Sequence, residues 1–170
     1  MIEPRTALEC LASAMVSSDL TCKKDGKRGD LDYLISLGWS VSRMLPGASS
    51  VLSLHLAQDT TSLKDALRYT LVIVKQLNGK RGWNLKASEF KPISEKSLRY
   101  HVAPACPTCR GRRYKVIDGT PNLSATACNT CHGTGKRPFP LKNGREISEV
   151  VWCLEDTNRV IGRAVQKMLR

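Results

Sequence analysis

Aromatic residues are scarce in this 170-residue chain: two Phe, four Tyr and three Trp, 5% of the whole. With so few rings, a core must be built from Leu, Val, Ile and Ala, which favours helices over a sandwich of short strands. Long apolar runs are missing too. None approaches the roughly 18 residues of a membrane-spanning helix, so no membrane partner is expected. There is no P-loop glycine motif, nucleophile elbow or His-Glu-x-x-His, and the three histidines, His55, His101 and His132, are scattered. No enzymatic activity is expected. An apolar leader is absent after Met1-Ile2-Glu3-Pro4-Arg5. With seven cysteines, this points to a reducing, cytoplasmic setting in which clustered thiols bind metal rather than pair as disulfides.

Acids are the other shortage: 15 against 27 Lys and Arg, for a net charge of +12 and a pI near 9.6. Such an imbalance points to a polyanionic partner. It is also local. Residues 1–79 carry nine bases and eight acids, residues 80–145 fourteen and three, and residues 146–170 four and four.

Periodicity divides the chain in the same way. Thr6 and Glu9 form a capping-box pattern ahead of Ala7, Leu8, Leu11, Ala12 and Met15, a helix that stops near Asp19. Thr21 to Gly29 reads as a solvated loop. Asp30 then caps a helix burying Leu31, Leu34, Ile35, Val41 and Leu45 and ending before Pro46-Gly47. Ser50 to Ala57 fits a further helix better than a strand. Ser62 caps a fourth, with a seam of Leu63, Ala66, Leu67, Thr70, Leu71, Val74 and Leu77 and Gly79 just past its end. These helices form a bundle over 1–79. From 80 to 145 the chain is basic, with two short amphipathic pieces separated by Lys91-Pro92. The second piece presents Lys96, Arg99 and Tyr100 outward and resembles the second helix of a helix-turn-helix, but an ordinary short surface helix fits better, because the preceding Leu85 to Phe90 piece is brief and Pro92 crowds the turn. Within 146–170, Ile147, Val150, Val151, Leu154, Ile161, Val165 and Met168 restore helical spacing after Asn143-Gly144, so this segment packs back on the bundle. The expected fold is mainly α, a helical bundle with a small inserted zinc-ribbon or knuckle β-hairpin module at 104–138.

That module is read from Cys106-Pro-Thr-Cys109 and Cys128-Asn-Thr-Cys131, a C-x2-C-x18-C-x2-C pattern within the spacing of structural zinc sites. Two knuckles supply four thiolates at about 2.3 Å from one Zn²⁺ and close the tetrahedron, leaving no position for a reacting water. Gly111 and Gly133 follow each second cysteine by two residues, where the chain must turn tightly. Tyr114 to Ile117 and Ser124 to Ala127 flank Asp118-Gly119-Thr120-Pro121 as a hairpin that the metal must carry. Cys128-x-x-Cys131-His132 also matches a haem attachment site, but the other Cys pair and the missing export signal argue against it, and no βαβ pattern supports a redox pair. Cys10, Cys22 and Cys153 stand alone, with Cys10 and Cys153 read as buried small apolar residues. Arg110, Arg112, Arg113, Lys115, Lys136 and Arg137 beside the knuckles suit phosphate contacts, as do Lys96 and Arg99. Those at the knuckles also offset the −2 charge of a Zn²⁺–thiolate cage.

Helices first, then a Cys-x-x-Cys pair, a basic hairpin and Cys131-His-Gly-Thr-Gly135 followed by Lys-Arg-Pro: over residues 104–140 the sequence resembles the late-gene antitermination protein Q family of lambdoid phages. The knuckles are also similar to those of J-domain chaperones, but the chain lacks a His-Pro-Asp signature and has two knuckles instead of four. The resemblance implies a DNA-binding factor that engages host RNA polymerase with its sigma factor, in a bacterial cytoplasm, and carries it past terminators. It also implies Cys106, Cys109, Cys128 and Cys131 as ligands of one structural Zn²⁺. Arg113 stands where the family pattern has a second glycine. The alternative is a chaperone-like module that binds unfolded polypeptide without specific nucleic-acid binding.

Overall fold

The computed structural model describes residues 6–18, 29–42, 44, 46–117, 120 and 122–169. The expected loop at 21–28, Leu45, Cys22 and the turn residues Asp118, Gly119 and Pro121 lie outside them, whereas the first helix ends at Met15, short of the expected stop near Asp19. Six helices and one hairpin follow in the order α1 (Ala7–Met15), α2 (Asp30–Val41), α3 (Ala48–Leu56), α4 (Leu63–Arg81), α5 (Ala87–Val102), β1 (Tyr114–Val116), β2 (Leu123–Ala127) and α6 (Gly144–Met168).

The bundle is arranged around α6, which touches all five other helices. Ile147, Val150, Val151, Leu154, Asn158, Ile161 and Val165 follow three- and four-residue spacing and are all buried, so one stripe faces the core along the whole helix. Leu11 of α1, Leu52 of α3, Val74 of α4 and Ile93 of α5 meet it in a single apolar cluster. Each such side chain contributes about 1.5–3 kcal/mol by leaving water.

Helix 1 begins as the capping box requires: the Glu9 N–H donates to Thr6 Oγ1 at 3.3 Å and the Thr6 N–H to Glu9 Oε2 at 2.6 Å. Elsewhere the local chemistry differs from expectation. Gly29, not Asp30, occupies the cap of α2, and its N–H donates to Asp32 Oδ2 at 2.8 Å. Ile35 is exposed, because α2 turns Leu37 inward and leaves Ile35 and Trp39, one turn apart, on the opposite side. Ser62 makes no side-chain cap; it belongs to a 3₁₀ turn, Thr60–Ser62, whose N–H groups and hydroxyls are held by Asp59. Helix 4 runs through Gly79 and ends at Gly82, whose φ of 63° is the left-handed terminator. Its buried face carries Tyr69 and Ile73 as well as Ala66, Thr70 and Val74, while Leu63 is exposed. Tyr69 turns inward because its hydroxyl meets Thr157 Oγ1 of α6 at 3.1 Å. Met168 is exposed at the end of α6, and Cys10 and Cys153 are only half-buried.

The largest correction concerns residues 80–102. The composition change near residue 80 falls inside α4, and the two pieces expected around Pro92 form one helix, so there is no helix-turn-helix in α5. Pro92 removes the bond to the carbonyl of Ser88, but both residues are exposed, so water can satisfy that carbonyl. The buried face Ile93, Ser94, Ser97, Leu98 and His101 packs α5 on α4 and α6 within the common core.

His101 is 3% exposed, stacks on His55 with ring centroids 4.6 Å apart, and has Nε2 3.0 Å from Asn158 Nδ2. Burial, with the His55 charge adding to it, pushes its pKa down to about 4. The folded value lies below the unfolded one. The stabilisation is therefore complete above about pH 6.5 and is lost as pH falls toward 4, on the order of 3 kcal/mol. Denaturant melts between pH 7.5 and 4.5 are expected to show this loss, with a shallower pH dependence in His101→Gln.

Candidate metal centre and its basic surroundings

Between α5 and α6 the chain leaves the bundle and folds around four sulfurs. Cys106, Cys109, Cys128 and Cys131 are buried, and their Sγ atoms all lie within 4.8 Å of one another. Cys109 Sγ and Cys131 Sγ are 3.7 Å apart. A tetrahedron with metal–sulfur bonds of about 2.3 Å has sulfur–sulfur edges of about 3.8 Å, so the cage fits one ion.

The two knuckles repeat each other residue for residue at an offset of 22. Arg110, Gly111 and Arg113 have φ values of 50°, 82° and 73°; His132, Gly133 and Gly135 have 49°, 83° and 74°. The Cys106 N–H donates to the Gly135 carbonyl and the Cys128 N–H to the Arg113 carbonyl, both at 2.8 Å. The Arg112 N–H to Cys109 carbonyl bond, 2.9 Å, is repeated by Thr134 to Cys131, 3.0 Å. The hydroxyls of Thr108 and Thr130, equivalent residues, meet at 2.8 Å. Strand β1 pairs antiparallel with β2, Tyr114 opposite Ala127, and the isolated bridge of Ala105 with Lys136 repeats that pairing.

The cage is prepared for thiolates by backbone amides. The Cys109 and Thr108 N–H groups lower the Cys106 pKa, and those of Cys131 and Thr130 bring Cys128 down to about 6. Burial raises Cys109. The Gly135 N–H reaches Cys131 Sγ at 3.3 Å.

Arg113 takes the left-handed conformation that the second knuckle gives to a glycine. The reverse exchange is not available at Gly135, where a Cβ would lie 2.8 Å from the Gly111 carbonyl oxygen and 3.0 Å from Arg113 Cγ. One side chain fits between the knuckles, and Arg113 already supplies it.

Of the expected phosphate-contacting residues, Arg110, Arg112, Arg113, Lys115 and Lys136 are exposed on the module and Arg137 is half-buried. Among the described residues, none of the six forms an ion pair with a carboxylate. Lys96 and Arg99 are exposed on α5, but Arg99 lines a separate groove with Leu54, Leu63 and Leu67. The module is fastened to α5 at one corner: Tyr100 Oη donates to the Pro138 carbonyl at 2.7 Å, Arg137 Nε donates to the Ala103 carbonyl at 3.2 Å, and Tyr100 stacks on Phe139 at 4.9 Å. Sequence reading missed this clip and the exposed Trp152 beside it. An aromatic two residues after Arg137 was the available signal for the clip.

Compared with known proteins, the chain matches no protein-family model and no curated protein.

Two substitutions test the cage. Gly135→Ala places a Cβ at φ 74° against a backbone oxygen, costing at least about 1–2 kcal/mol, and is expected to release the metal to a competing chelator at lower chelator concentration. Cys106→Ser is expected to lose the metal and the module's amide-exchange protection while the far-ultraviolet helix signal largely persists, because the helical core contains none of the four cysteines.

Proposed function

We propose that the chain is a zinc-stabilised nucleic-acid-binding transcription factor that binds duplex DNA and acts on host RNA polymerase and its sigma factor as an antiterminator. Zinc is the reading of the metal that best suits a buried all-sulfur tetrahedron, since four thiolates favour a borderline-soft ion and leave no open position. The ion is then structural.

One observation carries the nucleic-acid reading: from residue 104 to 138 six cations, Arg110, Arg112, Arg113, Lys115, Lys136 and Arg137, face one acid, Asp118, and no carboxylate of the described residues pairs with them. A Zn²⁺–tetrathiolate cage carries −2, which offsets part of that charge but leaves a positive surface. Lys96 and Arg99 extend the positive charge onto α5. The antitermination reading and the polymerase and sigma-factor partners rest on the sequence resemblance over 104–140, in which the neutral helices hold the polymerase while the module holds DNA.

A second reading has one observation in its favour. Tyr114, Val116 and Leu123 are all exposed on the hairpin, with Val116 opposite Leu123, giving it an apolar face. Such a face suits a chaperone-like module for unfolded polypeptide. Selective capture of denatured substrates with no DNA binding would favour this reading.

If about five cations neutralise phosphates, log affinity for duplex DNA falls against log salt with a slope of about −4 to −5. Filter binding across a salt series measures it. Arg112→Ala or Lys136→Ala is expected to flatten the slope by about one without loss of zinc by metal analysis. A flat salt dependence in the wild type argues against the proposal. Transcription from a lambdoid late promoter with a downstream terminator, with and without the protein, tests the antitermination activity itself.

A further inference from the structure

Two clefts meet at Trp152, which projects from α6 with 58% of its surface exposed. The first, about 600 Å³, lies between α4 and α6 and is lined by Lys80 and Arg81. The second, about 230 Å³, lies between α6 and the metal module and is lined by Lys136, Arg137 and Phe139. The surface therefore alternates cations, an open indole, then cations and a second ring. A large aromatic in water at the centre of such a track serves neither the bundle core nor the sulfur cage.

Spacing charge and π-faces in this way suits a strand whose bases are unpaired. Phosphates are held by the cations on either side, and a base stacks on the ring between them without regard to sequence. A duplex hides its base faces and cannot use the indole in this way. Two carboxylates lie on the track. Glu149 is neutralised by Arg81 at 3.1 Å and Arg145 at 3.4 Å. Glu155 lines the second cleft, where an acceptor beside a stacked ring can take a base N–H.

We propose that the groove running from Lys80 and Arg81 over Trp152 to Lys136 and Arg137 binds single-stranded nucleic acid, with one base stacked on the Trp152 indole. The site shares Lys136 and Arg137 with the duplex contacts proposed above but takes a different ligand, and Trp152 belongs to it alone.

The test is fluorescence anisotropy of the metal-loaded full chain with labelled rU15, labelled dT15 and a labelled 20-base-pair duplex. Wild-type protein is expected to bind at least one single strand. Trp152→Ala is expected to weaken that binding about tenfold or more, as loss of one stacked base does, while Trp152→Phe keeps most of it. Duplex affinity is expected to change less than twofold in both variants. Whichever single strand binds more tightly identifies the sugar in the natural ligand. Absence of binding to both single strands by the wild type, or a Trp152→Ala protein within twofold of wild type, overturns the proposal. So does Trp152→Phe falling as far as Trp152→Ala, because the ring face is then not what binds. Loss of duplex binding in the wild type would sink the function proposed above and leave this one standing. Retained helicity and metal content in each variant show that the fold is intact.

Discussion

Folded segments of about 35 residues are ordinarily held by an apolar interior, and this module has none. Among its described residues from 105 to 137, only the four cysteines and Gly135 are buried; the tyrosine, valine, isoleucine and leucine of the hairpin all face water. The four sulfurs could hold one ion, and its bonds would supply what hydrophobic burial supplies in the helical bundle. The rest of the module answers to that requirement. The left-handed residues curl each knuckle around its sulfurs, backbone amides favour the thiolate form, and the two-stranded ribbon, too small to persist alone, hangs from the cage. Freed from packing, nearly every other side chain in the segment can point outward, and six of them are cationic.

The repeat of the knuckles explains why one position resists symmetry. Two identical backbones facing each other bring equivalent residues together, as with the Thr108 and Thr130 hydroxyls. Close to the axis there is no room for two side chains. Arg113 takes the space on one side and Gly135 yields it on the other, which is how a residue that departs from the glycine pattern is accommodated without opening the cage. Arg113 bears a backbone strain on the order of 1–2 kcal/mol, and its side chain passes Gly135 and is exposed.

Much of this was legible in the sequence where a single local rule decides the outcome. Thr6 with Glu9, the apolar stripe of α6, and the paired cysteines with Gly111 and Gly133 each imply their geometry without knowledge of the rest of the chain. The errors arose where tertiary packing overrides a local signal. Pro92 looked like a break, but a helix packed against two others keeps its course when the orphaned carbonyl faces water. Gly79 looked like a terminator, yet Trp83 and Leu85 pack onto the core just beyond it, and the chain turns only at Gly82. Ile35 looked no different from a core residue, because apolar character alone does not say which side of α2 faces its neighbours. The clip of Tyr100, Arg137 and Phe139 joins residues almost forty positions apart, a separation no local pattern reports.

The point at which the module leaves and re-enters the bundle has its own thermodynamics. Residues 103–143 are a loop between two helices that lie side by side, and a flexible loop of about 40 residues adds roughly 3 kcal/mol of closure entropy to the cost of bringing α5 and α6 together. The Tyr100–Pro138 and Arg137–Ala103 bonds pin that loop at its neck, so with the cage closed little of that disorder remains to be lost. Closing the four-sulfur cage thereby eases the docking of two helices that it never touches.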